Sequence, residues 1–384
     1  MQRSQMLRSG AYRGVTPGAA RPVLARATAP ASPMAHLLDA GVLPQQQMMQ
    51  AGKLSSHALT SQYLARIRSL SGTGARAYPG IEINPDALKI ALEMDRERQG
   101  HKVRGPLHGI PIVLRDNIAT GDRMKTRTQA PLATHASCDS FVAARLRAAG
   151  AVIIGKSNLR QWAAVSVPHA SASWAGLTIL AVDSAADGSI VAPASSCGLV
   201  AIKPTGRAAG GQGSEPPTAG PMAPSVREAA WLLAALSGED LAEGMVLNAA
   251  GLHGRRIGVA RSLFGRCAET DAVIEQALLA LREQGAELVE TPPAPAPGGI
   301  EALLGSHALD ALVGPTCHGM SLGQCALPQI TVPAGVAGGL PVGLSFIGPA
   351  HGDMQLIAMA YAYEQATLHR RTPELPSSIT LALR

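Results

Sequence analysis

Short apolar runs recur along the chain and are separated by longer amphipathic stretches. The runs at residues 110–114 and 151–154 are apolar throughout, as strands are when both faces of their sheet are covered. Shorter apolar runs predict further strands at 257–260, 287–289, 311–313, 329–332 and 342–346. The pattern therefore predicts a sheet assembled from short, buried strands that are far apart in sequence.

Helical periodicity fills several intervals between these strands. A helix that begins at Ser55 or Ser56 is predicted by the apolar stripe Leu59, Tyr63, Leu64, Ile67 and Leu70. Further helices are predicted from Asp139 onward, over 270–284, and from a cap at Asp353. Strands that alternate with helices indicate an α/β fold with helices on both faces of the sheet.

The composition is that of a globular protein. Hydrophobic residues make up 46% and charged residues 16% of the 384 positions, a balance that disordered chains lack. Aromatic residues are only 3%, too few for the stacking platforms of a single-strand nucleic-acid binder. Most of the net charge of +6 comes from five arginines that precede the first acidic residue: Arg3, Arg8, Arg13, Arg21 and Arg26. The remainder is nearly neutral, so nucleic acid is not expected as a partner.

The arginine-rich start is interpreted as an extension that precedes the folded domain. Residues 1–33 are expected to be disordered and residues 34–384 to form one domain, because ordinary globular sequence begins at Met34. A start rich in arginine and free of acidic residues also fits an organelle transit peptide, so import stays open beside a cytoplasmic location. Five scattered cysteines without a CxxC pair favour reduced thiols and argue against a zinc site. The apolar runs are too short for a membrane span, so no membrane partner is expected.

One serine directly follows a glycine within residues 185–198, which read Ala-Ala-Asp-Gly-Ser-Ile-Val-Ala-Pro-Ala-Ser-Ser-Cys-Gly. The backbone N–H groups of such a turn can converge on one point, which suits a nucleophile beside an oxyanion hole. This serine, Ser189, is equally well read as a turn residue that satisfies local backbone groups. The spacing offers no histidine-based triad, and His108, His169 and His318 are expected to be packed or solvated.

Several other segments give this turn a context. They are Arg-Gly-Pro-Leu-His-Gly-Ile-Pro-Ile-Val-Leu-Arg-Asp-Asn at 104–117, Arg-Leu-Arg-Ala-Ala-Gly-Ala-Val-Ile-Ile-Gly-Lys-Ser-Asn at 145–158, Cys-Gly-Leu-Val-Ala-Ile-Lys-Pro-Thr at 197–205 and Ile-Thr-Val-Pro-Ala at 330–334. In this order they closely resemble the amidase signature family, and the Asp-Gly-Ser-Ile-Val variant resembles its bacterial branch with peptide amidases. The resemblance covers residues 37–376 with gaps. It implies an amidase-signature α/β/α sandwich with a mixed, twisted central sheet.

The family resemblance implies hydrolysis of a linear amide by a Ser–cis-Ser–Lys triad, without a metal or an organic cofactor. A neutral lysine accepts a proton from a bridging serine, which in turn activates the nucleophilic serine. Carried onto this chain, the nucleophile is Ser189 and the oxyanion-hole turn comprises Ala186, Asp187 and Gly188. The lysine of the family falls on Arg115, and a guanidinium cannot accept the proton.

The bridging serine has no matching residue. Only 33 positions separate Lys156 from Ser189, fewer than in the family pattern, and ungapped alignment back from Ser189 places Val165 at the bridging position. Nearby substitutes are Ser166, which is taken as the candidate, and Ser171 and Ser173. None of these serines lies in the Gly/Ser-rich context that the family has.

Two further intervals look shorter than in the family, between Thr205 and Ala219 and between Val289 and Ala308. This pattern of internal deletions indicates a decayed copy, a splice or gene-model artefact, or a pseudoenzyme. Two functions therefore stay open. One is a serine hydrolase of non-peptide or C-terminal peptide carboxamides with impaired activity, for which a small amide is the substrate. The other is a catalytically inactive protein with the amidase fold.

A replacement for the lost base would have to be another amine. Lys125 and Lys156 are the candidates that the sequence offers. Lys156 belongs to a separate family motif, and Lys125 lies well past the end of the strand that carries Arg115. A lysine amine within reach of Ser189 is thus the feature that separates the two functions.

Overall fold

A computed structural model provides the structure of the chain. It describes residues 37–71, 81–129, 132–157, 180–184, 190–205, 219–237, 247–292, 299–316 and 327–371. All of these residues belong to one unit, Ser32–Arg384. The expected N-terminal extension, residues 1–33, lies outside the described residues, and its disorder stays a prediction.

Nine helices have both ends within the described residues. They are α1 Val42–Gln50, α2 Ser56–Ser71, α3 Ala87–Gln99, α4 Phe141–Ala148, α5 Val191–Ser196, α6 Val226–Ser237, α7 Ala268–Glu283, α8 Gly299–Ser306 and α9 Asp353–Thr367. The strands in the same part of the chain are β1 Ile81–Ile83, β2 Pro111–Arg115, β3 Lys125–Gln129, β4 Leu132–His135, β5 Val152–Ser157, β6 Leu180–Ser184, β7 Val200–Lys203, β8 Ala219–Ala223, β9 Arg256–Val259, β10 Glu287–Glu290, β11 Ala311–Pro315, β12 Gln329–Ala337 and β13 Leu340–Ile347.

Eleven of these strands form one mixed sheet in the order β1–β5–β2–β6–β8–β7–β12–β13–β11–β9–β10, and β3 pairs separately with β4. Parallel pairing joins β5, β2 and β6 toward one end of the sheet and β11, β9 and β10 toward the other. Antiparallel pairs through β8, β7, β12 and β13 connect the two parallel groups. The predicted α/β fold with a mixed central sheet is confirmed.

The central strands are covered on both faces. Every residue of β2, β5 and β7 is buried, although successive side chains of a strand point to opposite faces. Burial on both sides explains the continuous apolar runs that predicted strands at 110–114 and 151–154, and in the strand predicted at 329–332 the polar residues Gln329 and Thr331 are buried as well. All three predicted strands lie in the large sheet, and β12 continues beyond its predicted end to Ala337.

The helix predicted from Asp139 begins two residues later, at Phe141. Ser140 is its N-cap residue, and the Ser140 hydroxyl accepts a hydrogen bond from Ala143 N. Asp139 lies just outside the helix, where its carboxylate accepts a hydrogen bond from Arg147 Nε at 2.8 Å. The predicted start was wrong because serine and aspartate are equally good caps, and the sequence alone does not choose between neighbours.

The cap predicted at Asp353 was also wrong. Helix α9 begins at Asp353 itself, with Gly352 in the N-cap position and no side-chain cap. The Asp353 carboxylate accepts hydrogen bonds from the backbone N–H and the hydroxyl of Thr205. This acidic residue therefore ties the end of the β7 segment to α9, rather than closing its own helix.

The carboxylates of buried Glu228 and half-buried Glu364 accept hydrogen bonds from the N-termini of two helices. Glu228 of α6 accepts a hydrogen bond from Val42 N at 2.5 Å, and Glu364 of α9 accepts one from Val226 N at 2.8 Å. These bonds satisfy backbone N–H groups that have no partner within their own helices. Burial raises the pKa of both carboxyl groups, that of Glu364 to about 7. Arg370 interacts electrostatically with both and offsets part of their charge.

Candidate active site

The carboxyl ends of three neighbouring parallel strands bring polar side chains together. Arg115 is the last residue of β2, and its Cα partner on β5 is Ser157. On the other side, Leu114 pairs with Val182 of β6, so the next residues, Arg115 and Asp183, point to a common face. Ser157, Arg115 and Asp183 thus form a row on one face of the sheet, which we call the 115–183 row.

Arg115 and Asp183 form a buried ion pair within this row. Arg115 Nη1 donates a hydrogen bond to Asp183 Oδ1 at 3.0 Å. The Asp183 side chain is fully buried, and the Arg115 side chain is only 11% exposed. Removing one member of such a pair leaves a buried charge without compensation, which typically costs about 3–5 kcal/mol. Replacing Arg115 alone by a neutral residue is therefore expected to destabilise the fold.

The chain that follows Ser189 lies on the same face of the sheet. Ile190 is buried, and it packs over Gly220 of β8, which is the Cα partner of Asp183. A Cβ atom at Gly220 would lie 2.9 Å from Ile190 Cδ1 and 2.2 Å from Ile202 O, so the approach requires glycine. Ile190 therefore packs against the strand next to Asp183.

Most of the predicted site residues lie outside the described residues. These are Ala186, Asp187, Gly188 and Ser189 of the nucleophile turn, and Val165, Ser166, Ser171 and Ser173 of the bridging segment. Their roles stay predictions. Arg115 is described, and it lies on the face to which Ile190 also belongs. The structure thus places Arg115 on the same side of the sheet as Ile190, the residue that follows Ser189 in sequence.

All six lysines of the chain lie in the described residues, so the candidates for a replacement base can be surveyed. Four of them are exposed: Lys53, Lys89, Lys102 and Lys125. The other two, Lys156 and Lys203, are buried. Lys203 Nζ donates a hydrogen bond to Leu327 O at 2.7 Å. Lys125, one of the two candidates from the sequence, is a surface residue of β3.

Lys156 points to the wrong face of the sheet. It is the Cα partner of Leu114, whereas the next residue, Ser157, is the partner of Arg115, so Lys156 and the 115–183 row face opposite sides. Lys156 Nζ donates a hydrogen bond to Thr126 Oγ1 at 2.8 Å. Burial lowers the pKa of this amine, against the opposing effect of nearby carboxylates. The sheet separates this amine from Arg115.

His108 is a packed residue, as expected. Its side chain is fully buried, and Nε2 lies 3.0 Å from Met94 O. Burial lowers the pKa of the imidazole, which keeps it neutral at physiological pH. His169 and His318 lie outside the described residues. Within the described ranges, no group of three or more His, Cys, Asp or Glu side chains is arranged to hold a metal ion.

Sequence reasoning missed Asp183. It follows the apolar run Leu180–Val182, and an acidic residue at the end of a buried strand needs a cation close by. That rule would have drawn attention to the residue but not to its partner, because Arg115 is 68 positions away in sequence. Only the parallel pairing of β2 with β6 brings the two side chains together.

The fold and this site define an α/β protein with a charged row at the carboxyl ends of adjacent parallel strands. Residues 58–174 and 169–314 match the sequence profile of the Amidase family. Because the match covers more than half of the chain, the chain belongs to this family. The resemblance to the amidase signature family that the motifs indicated is thereby confirmed.

Individual relatives agree with this assignment. An amidase-family protein of Arthroderma benhamiae is 34% identical over 283 residues, which are 59% of this chain and 47% of the relative. The chain thus spans about half the length of that relative. The solved structure of the native peptide amidase from Stenotrophomonas maltophilia is 31% identical with a TM-score of 0.74, and the match covers 87% of this chain and 98% of that one.

A third relative bears on the expected deletions. An amidase-family protein of Arabidopsis thaliana is 28% identical over 459 residues, and the match covers 84% of this chain and 89% of the relative. The matched region is longer than all 384 residues of this chain. The relative therefore carries segments that have no counterpart here, as internal deletions predict.

Proposed function

We propose that this chain is an amidase-signature hydrolase of carboxamide bonds whose activity is impaired. Membership of the Amidase family and the similarity to a peptide amidase support non-peptide amides or C-terminal peptide amides as substrates. Ser189 is the proposed nucleophile, and the oxyanion hole is assigned to Ala186, Asp187 and Gly188. A small-molecule amide is the proposed substrate class.

The ion pair between Arg115 and Asp183 is the observation that supports impairment. A base at position 115 must release and accept a proton, whereas a guanidinium stays protonated. The hydrogen bond to a fully buried carboxylate holds that guanidinium in place. General-base catalysis through position 115 therefore cannot operate as the family triad implies.

The positions of the lysines are the observation that keeps the alternative, a catalytically inactive amidase-fold protein, open beside this proposal. Four lysines are exposed, Lys156 faces the other side of the sheet, and Lys203 donates to Leu327 O. A residual activity would then depend on the oxyanion hole and on substrate binding alone. Such residual catalysis is typically about 10⁴–10⁶-fold below that of an intact triad.

Turnover of simple amides and C-terminally amidated peptides by the purified protein tests the proposal. We expect rates at least about 10³-fold below those of an intact family enzyme measured alongside. The Ser189→Ala variant is the matched control, and it should remove the remaining turnover if Ser189 is the nucleophile. Equal rates in both proteins would favour the inactive alternative. Turnover in the ordinary enzyme range would contradict impairment and would require a base other than Arg115.

The proposal includes a cytoplasmic location and no nucleic-acid or membrane partner. The nearly neutral charge beyond the first 38 residues and the scattered cysteines support it. None of the helices in the described ranges combines the length and the apolar character that crossing a bilayer requires.

A further inference from the structure

The 115–183 row contains two residues whose charges depend on each other. Asp183 is fully buried at the carboxyl end of β6, and it accepts a hydrogen bond from Arg115 Nη1. A carboxylate in this position is tolerated only with a cation in contact, because an isolated buried charge is too costly. The identity of the residue at 115 is therefore constrained by Asp183, not only by the chemistry of an ancestral site.

The structure contains an internal comparison for a buried amine. Lys156 lies one residue before Ser157 on β5, and its hydrogen bonds go to a hydroxyl and a carbonyl, Thr126 Oγ1 and Lys125 O. Burial lowers the pKa of Lys156 even though Asp122, Glu82, Asp116 and Asp139 act from a distance in the opposite direction. Burial without a contacting carboxylate thus lowers the pKa of an amine in this part of the sheet.

Position 115 differs from position 156 because a carboxylate, that of Asp183, contacts the side chain at position 115. A carboxylate within about 4 Å favours the charged form of a neighbouring base by 1–3 pKa units. Loss of the proton would also remove the ion pair that position 115 supplies to the buried Asp183 carboxylate, which adds to the cost of deprotonation. Both effects oppose the neutral amine that the family triad needs. Among the described residues, Asp116 follows Arg115 in sequence, and Lys156 lies on the opposite face of the sheet.

We propose that Asp183 is a positioning residue that keeps a base at position 115 cationic at neutral pH, so that the loss of the catalytic base involves two residues rather than one. This inference rests on the proposed function, because it explains why the impairment is not a single substitution. Exchange of Arg115 alone would place an ammonium group, still protonated, against Asp183. Exchange of both residues would remove the contact and leave an amine whose protonation is governed by burial, as at Lys156.

Titration of an introduced amine tests the proposal. The Arg115→Lys variant and the Arg115→Lys/Asp183→Asn variant, each labelled at the lysine Cε with ¹³C, are followed by NMR between pH 6 and 12. The six native lysines serve as internal references. We expect the introduced amine to titrate at least about one pKa unit lower in the double variant than in the single variant. The matched control is Arg115→Lys/Asp122→Asn, which changes an acid near Lys156 and should leave the introduced amine unshifted.

Equal titration in the single and double variants would overturn the assignment of Asp183. Urea unfolding of each variant shows whether it is folded under the conditions of the titration. If the double variant is unfolded, Asp183→Ser in the same Arg115→Lys background replaces it, and the same shift is expected. The activity of the unaltered protein is a separate measurement. Ordinary turnover by that protein would contradict the proposed impairment but would leave the titration difference valid. Equal titration in the two variants would contradict only the role assigned to Asp183.

Discussion

At position 115, two similar residues have opposite chemical consequences. Lysine can lose its proton when it is buried, whereas arginine keeps its charge and offers a planar set of donors that suits a carboxylate. Asp183 lies where that set of donors can be used, 3.0 Å from Arg115 Nη1. The sequence identified Arg115 as a departure from the family, but it could not show that the substitution has a buried partner.

The stability of the protein should depend on both members of this pair. We expect Asp183→Ala to lower the free energy of unfolding by about 3–5 kcal/mol, because Arg115 would remain buried without its counter-ion. The double variant Arg115→Met/Asp183→Leu should cost less than the single change, since it leaves no buried charge. Urea denaturation measures both. Asp86→Asn, in the exposed pair with Arg123, is the control and should have little effect. A double variant at least as unstable as Asp183→Ala would argue against the pair.

At the scale of elements, a helix or strand could be predicted from the sequence where its buried positions are also apolar and follow a regular pattern. The strand β2 was predicted because all its residues are buried and nearly all are apolar. The strand β8, Ala-Gly-Pro-Met-Ala, is equally buried but has no β-branched residue and contains proline, so it carries no strand signal. Helix α3 was missed because its buried positions, Ala87, Ala91 and Met94, are few among charged residues. For such elements, packing within the fold provides the stability that the local sequence preference does not provide.

The contact between helices α6 and α9 should give stability a dependence on pH. Burial raises the pKa of Glu364 to about 7, above its value in the unfolded chain, so the folded state holds the proton more tightly. The resulting stabilisation is fully present below about pH 4 and is lost as the pH rises through 7. We expect wild type to lose about 1–3 kcal/mol of unfolding free energy between pH 5 and 8 from this group. The Glu364→Gln variant keeps an acceptor for Val226 N and should reduce the dependence of the unfolding free energy on pH.

Urea denaturation at pH 5 and at pH 8 provides the comparison. Glu301→Gln, on helix α8, is the matched control, because its carboxyl group is exposed. That variant should keep the pH dependence of wild type. A Glu364→Gln protein with the same pH dependence as wild type would show that the Glu364 carboxyl group is not the source, and Glu228, whose pKa burial also raises, would be the next group to test.

At the scale of the whole molecule, the family fold is kept although relatives carry additional segments. The eleven-stranded sheet is intact in the described residues, and its parallel strands still bring positions 115, 157 and 183 together. The order of the family motifs along the chain was enough to predict this architecture. The state of the active site could not be predicted in the same way, because it depends on contacts between residues that are far apart in sequence.

The reactivity of Ser189 tests the molecule as a whole, since it requires the nucleophile turn, the sheet and the base to work together. An active-site-directed fluorophosphonate should label Ser189 slowly or not at all, because a serine without a working base is a poor nucleophile at neutral pH. An intact family amidase treated in parallel provides the rate for an activated serine, and Ser189→Ala gives the background of non-specific labelling. Mass spectrometry of the labelled peptide identifies the modified residue. Rapid labelling that disappears in Ser189→Ala would mean that the serine is activated despite the ion pair at Arg115. The fold would then have recruited a base from outside the 115–183 row, and the chain would be a working serine amidase.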